Sequence, residues 1–211
     1  HYIQIKDMPA IFEQLQSVGL TSRMASGDGP RPIMTCPVSG IDDGEIYDVK
    51  ELVKAVDTYF DKNEDRFCNF PRKYKIGISG CKCHCAAHEI QDVAFTAFKN
   101  DSGEVLFDLT IGGGLSKSKQ IATRASRYVK PEQVLDVAVA CAEIFRDNGN
   151  RDNRNKARVR HLLNDWGIEK FVEEIEKAIG YKLQDGLEAP VVASFENRNH
   201  FGINRQKQNG L

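Results

Sequence analysis

Apolar positions along the chain switch between two periods, and each switch marks an expected element. Ile11, Phe12, Leu15 and Val18 recur at helical spacing between Pro9 and Gly19, so a helix is expected there with Asp7 as its cap. A second helical stripe, Leu52, Val53, Val56 and Phe60, follows the capping-box pair Asp48 and Glu51. From Lys73 to Ser79 the period drops to two. Tyr74, Ile76 and Ile78 alternate with Lys73, Lys75, Gly77 and Ser79, which predicts a strand with one buried face. Residues 93–98 and 105–111 read as two antiparallel strands about a hairpin turn at Asn100 to Gly103.

The second half returns to helical spacing. Val134, Leu135, Ala138, Cys141, Ala142 and Phe145 share one face, which makes Cys141 a core thiol. Val159, Leu162, Leu163 and Trp166 form a further stripe beside the basic run of residues 151–160. That run suits a solvated face or an acidic partner. Phe171, Ile175, Ala178 and Ile179 define the last helix, closed by Gly180. Helices and adjacent antiparallel strands in this order predict an α+β domain, an antiparallel sheet layered with helices, over residues 1–180. Residues 181–211 have linker composition.

Bulk composition narrows the function classes. The 211 residues carry 29 basic and 30 acidic side chains, so no global field favours nucleic acid or an anionic membrane surface. No apolar run approaches the length of a membrane span, and the opening residues are no signal peptide, which points to a cytoplasmic or plastid-like compartment. The chain opens without methionine and stops after a polar run, the expectation for a segment of a longer protein.

Candidate chemistry is local. On the predicted strand Lys73 and Lys75 point the same way, and two adjacent ammonium groups on rigid backbone suit an anion; the same pattern also describes a solvated edge strand with ordinary lysines. Arg31 stands between Pro30 and Pro32, which limit the backbone and can aim a guanidinium, although an arginine in a surface loop reads the same way. Gly112, Gly113 and Gly114 follow a strand and suit close approach of backbone amides to an anion.

Of the six cysteines, Cys81, Cys83 and Cys85 are bunched, and Cys36, Cys68 and Cys141 are scattered. The bunched thiols make half a zinc site, since no second ligand pair stands nearby. Cys81 and Cys85 suit two of the four thiolates of an iron-sulfur cluster, and idle buried thiols are an equal reading. A metal-binding electron-transfer module built on Cys81, Cys83 and Cys85 therefore stays open.

Taken together, the motifs resemble the siroheme-dependent nitrite and sulfite reductases. The matches are Ser17-Val-Gly-Leu20, Gly27-Asp-Gly-Pro-Arg31 with Cys36-Pro37, Pro71-Arg-Lys-Tyr-Lys-Ile76, Ile90-Gln-Asp-Val-Ala-Phe95, Gly112-Gly-Gly-Leu-Ser116, Ile144-Phe-Arg-Asp147, Lys156-Ala-Arg158 and Trp166-Gly-Ile-Glu-Lys-Phe171. Each is weak alone, while their order and spacing are specific. The resemblance implies the first of two pseudo-symmetric halves that enclose siroheme and a 4Fe-4S cluster, with residues near 202–210 opening the second half.

It further implies that Arg31, Lys73 and Lys75 bind the substrate anion and that Arg72 pairs with a siroheme carboxylate. The cluster thiolates are implied to lie in the second half, which leaves a metal role for Cys81 and Cys85 unsupported by the family pattern. Lys75, where nitrite-type members often carry asparagine, tips the substrate towards sulfite, with nitrite reduction to ammonia as the alternative. An electron donor such as ferredoxin or a reductase subunit is implied, and an isolated chain is expected to be inactive. A proline also follows Arg31 where many relatives have asparagine.

Overall fold

The computed structural model describes residues 2–115, 118–186, 188 and 202–208. Its helices are α1 (Met8–Ser17), α2 (Lys50–Lys62), α3 (Glu64–Phe67), α4 (Val134–Asn148), α5 (Val159–Trp166) and α6 (Ile168–Ile179). The strands β1 (Ile76–Ser79), β2 (Val93–Lys99), β3 (Val105–Ile111), β4 (Thr123–Val129) and β5 (Gln184–Asp185) form one sheet in sequence order. The architecture is α+β, as expected. All neighbouring strands are antiparallel except β1 and β2, which run parallel with Ile76 opposite Val93. Past residue 180 the chain still joins this unit, since β5 pairs with β4 and Lys207 reaches Glu45 at 2.7 Å.

One hydrophobic core lies between the sheet and the helices. Val93, Phe95 and Ala97 of β2 and Phe107, Leu109 and Ile111 of β3 face Val137, Cys141, Phe145, Phe171 and Ile175 of α4 and α6. Cys141 is fully buried, the core thiol its helical spacing predicts. A chain of rings closes one end of the core. Phe67 and Phe70 meet edge to face, Phe70 meets Tyr74 at 5.5 Å, and Tyr74 stacks on Phe145 at 5.9 Å. Burying rings of this size is among the largest single contributions a side chain makes to folding, so Tyr74 is firmly anchored.

Four local expectations are revised. The strand expected from Lys73 begins only at Ile76, and Gly77 and Ser79 are buried along with Ile76 and Ile78, so both faces are covered. Asp48 does not build a capping box; it accepts from the Lys50 amide at 3.0 Å, one residue before the cap of α2. α1 forms where its stripe predicts, yet buries none of its residues within the described chain, and Phe12 and Val18 are exposed. The basic run is no free face. Arg151 grips Asn69, Arg154 pairs with Asp28, and Arg158 pairs with Asp92, so the run braces its own chain.

Candidate cationic site

The site begins with the backbone of two segments that lie far apart in sequence. The Arg31 amide donates to the Tyr74 carbonyl at 2.8 Å, and the Tyr74 amide donates to the Gly29 carbonyl at 3.0 Å. Three residues on, Met34 bridges Gly77 in the same parallel sense. The proline-rich loop therefore runs beside the segment of residues 73–78 and covers the outer side of β1. This removes the solvated-edge reading of Lys73 and Lys75. Because the Tyr74 side chain is wholly buried, the half-buried lysines on either side of it are turned away from the core together.

Charge confirms the closeness. The Lys73 ammonium is held below the ordinary lysine value, first by partial burial and then by Arg158, Lys75, Arg72 and Arg31 in that order. Five cations thus share one locality. Among the described residues neither lysine is in an ion pair. Carboxylates neutralise two of the others: Asp28 takes Arg72 at 3.3 Å and Arg154 at 2.7 Å, and the buried Asp92 takes Arg158 at 2.7 Å. Arg31 donates from Nη2 to the Gly27 carbonyl at 3.0 Å, while its Nη1 is buried with no hydrogen-bond partner.

A sixth cation was not singled out from sequence. Arg160, in the first turn of α5, is 5% exposed, and its Nε and Nη1 have no partner. Burial and the adjacent Arg158 lower its pKa from the ordinary arginine value. A buried guanidinium with empty donors is costly unless an anion completes it. The sequence signal was the alternation Arg158-Val-Arg160 at a helix start, which reads as part of a solvated basic run until the fold turns it inward.

The glycine triplet does not offer its amides to a ligand. Gly112 donates to the Asp92 carbonyl, Gly113 to Gln91 and Gly114 to Gln120, each at 2.8 Å. The triplet is needed for packing instead. A Cβ on Gly112 would strike Leu163, one on Gly113 the Glu89 and Gln91 carbonyls, and one on Gly114 the Arg160 guanidinium.

The bunched thiols follow the end of β1. Cys81 and Cys83 are buried, and Cys36 from the proline-rich loop joins them, hydrogen-bonded to Cys85. Burial and these neighbouring thiols push Cys85 up to about 12. Among the described residues no group of three or more histidine, cysteine, aspartate or glutamate side chains is disposed to hold a metal ion. The cations fit a different guest: empty buried donors on Arg31 and Arg160, together with Lys73 and Lys75, which have no ion-pair partner among the described residues, suit anionic groups. No helix among the described residues is long and apolar enough to cross a membrane.

The family model described as the nitrite and sulphite reductase 4Fe-4S domain matches residues 26–183. Similar proteins include sulfite reductase (ferredoxin) 1 of Mycolicibacterium paratuberculosis, 39% identical across 100% of this chain and 37% of that protein. Another is the assimilatory ferredoxin-dependent nitrite reductase of Haloferax mediterranei, 37% identical across 89% of this chain and 33% of its own. The solved structure of the Mycobacterium tuberculosis NirA protein superposes with a TM-score of 0.88 at 35% identity, covering 98% of this chain and 37% of that one. The chain therefore spans about a third of the length of these relatives.

Proposed function

The chain belongs to the nitrite and sulfite reductase family, and from that premise we propose that it supplies the substrate-binding cations of a siroheme and 4Fe-4S enzyme reducing sulfite to sulfide. The observation that carries the reading is the main-chain pairing of Arg31 with Tyr74. It brings Arg31 against the segment that carries Lys73 and Lys75, and the Arg31 charge acts on Lys73.

In this reading Arg31, Lys73 and Lys75 bind the oxyanion and hydrogen-bond its oxygens. Each oxygen that leaves as water takes up two protons. Lysine delivers protons readily, whereas arginine hardly does, so Lys73, whose pKa is already lowered, is the proton donor and Arg31 the clamp. Arg160 and Arg72 would hold siroheme carboxylates. Of these, Arg160 has donors to spare, while Arg72 shares Asp28 and must divide its bonds. Siroheme, when bound, supplies electrons to the sulfur or nitrogen of the substrate.

Ferredoxin or a comparable one-electron donor serves the complete enzyme, as the names of the relatives suggest. Relatives named for nitrite as well as sulfite keep nitrite reduction as the second reading. Turnover of the complete protein with sulfite and with nitrite, under one artificial reductant, tests both. Dominant sulfite turnover that falls selectively in Lys75→Asn supports the sulfite reading. A nitrite preference that this variant leaves unchanged replaces it, and wild-type turnover in Lys73→Met with Lys75→Met rejects the catalytic assignment altogether.

A further inference from the structure

Asp92 lies immediately before β2, opposite Lys75, and is completely buried. Its Oδ2 accepts from the Lys75 amide at 2.9 Å and from Arg158 Nη2 at 2.7 Å, and its Oδ1 accepts from Arg158 Nε at 3.1 Å. Its own amide donates to the Lys75 carbonyl at 3.1 Å, and its carbonyl accepts from Gly112 at 2.8 Å. One residue thus closes a ring around the Lys75 peptide and holds Arg158 with a forked pair of bonds. Removing a carboxylate from water is costly, and a plain structural ion pair has no need to grip the backbone between two lysines.

We propose that Asp92 is the positioning residue of the cationic site, fixing the Lys75 backbone and compensating the charge of Arg158 so that Lys73 keeps its proton for substrate. This rests on the reading of Lys73 as proton donor. Among the described residues the groups whose charge acts on Lys73 are all cations: Arg31 from the paired loop, Arg72 and Lys75 from its own segment, and Arg158 at the start of α5. Of these Arg158 acts most strongly, and Asp92 is its ion-pair partner. The charge of Asp92 also acts on Tyr74 and Arg160. Loss of the negative charge leaves Arg158 uncompensated beside Lys73, so the lysine is expected to release its proton at lower pH.

The test uses the complete protein with both halves and its cofactors, measuring sulfite turnover against pH under one artificial reductant. Asp92→Asn is expected to load cofactor normally, as read by its absorption spectrum, and to move the basic limb of kcat towards neutrality by about one pH unit. Adding Arg158→Gln to that variant returns the limb towards wild type, and Asp92→Glu, which keeps the charge, leaves the limb in place whatever its kcat. A normally loaded Asp92→Asn protein with an unmoved limb, or with a loss that is equal at all pH values, overturns the inference. If Asp92→Asn fails to accumulate, Arg158→Gln alone decides: the limb rises if Arg158 sets the proton affinity of Lys73, and an unmoved limb overturns the inference. Lys73→Met separates this from the parent reading. A basic limb that survives that variant rejects Lys73 as donor, whereas a limb lost there but unmoved in Asp92→Asn rejects only the role of Asp92.

Discussion

The amide of Arg31 donates to the carbonyl of Tyr74 at 2.8 Å, and this bond joins a proline-rich loop to the residue between two lysines. Pro30 and Pro32 restrict the backbone on both sides of Arg31, so the guanidinium is delivered by main-chain geometry, and its side chain spends only one bond, to Gly27, on holding itself in place. In the complete protein Arg31→Met is expected to lower turnover by about a hundredfold, the usual cost of a lost donor to a developing anion. Arg31→Lys should recover only part of it, because an ammonium lacks the planar fork. Steady-state kinetics at saturating reductant checks both.

Arg160 should trade stability against ligand. Its buried guanidinium has two empty donors, so Arg160→Met, similar in length and apolar, is expected to raise the thermal midpoint of the cofactor-free protein while reducing siroheme retention. Differential scanning fluorimetry and the ratio of siroheme absorbance to protein read the two effects. A lower midpoint together with full cofactor loading would show that the site is structural.

Gly113→Ala is expected to destabilise the protein by about 1–3 kcal/mol. The added Cβ would sit 2.7 Å from the Gln91 carbonyl and closer still to that of Glu89, and backbone cannot swing aside as a side-chain tip can. Gly103→Ala, where a Cβ meets nothing within 4 Å, separates crowding from backbone strain, since Gly103 has a φ of +82°. Thermal unfolding of the two variants against wild type measures the difference.

Acid should loosen the proline-rich loop. The hydrogen bond from Arg154, assisted by Arg72, holds Asp28 below its ordinary value of 3.8, and Arg146 does the same for Asp147. A carboxyl that titrates lower when folded contributes stability that is complete above its unfolded pKa and is lost as pH falls through the folded value. Stability is therefore expected to decline below about pH 4, and Arg154→Gln should make that decline shallower. Urea unfolding at a series of acid pH values checks the slope.

Periodicity and turn chemistry determined most of the elements, but α3, β4 and β5 carried no signal that was read as an element. The hairpin from β2 to β3, the core faces of α4, α5 and α6, the burial of Cys141 and the alternation about Tyr74 all follow from spacing, because a side chain's face is fixed by its position in a regular backbone. The lysine pair was legible for the same reason, and the family motifs pointed to Arg31 and Arg72. Tertiary structure decided which segments meet. An alternating strand specifies its faces and not its partner, so the pairing of Arg31 with Tyr74 and the parallel entry of β1 beside β2 lay beyond local pattern. The same holds for the glycine amides, which read as open to an anion until Asp92, Gln91 and Gln120 take them, and for Arg160, which looked solvated until α5 turned it inward. Whether a polar group is free depends on distant carbonyls and carboxylates, and only the folded chain brings those within hydrogen-bonding reach.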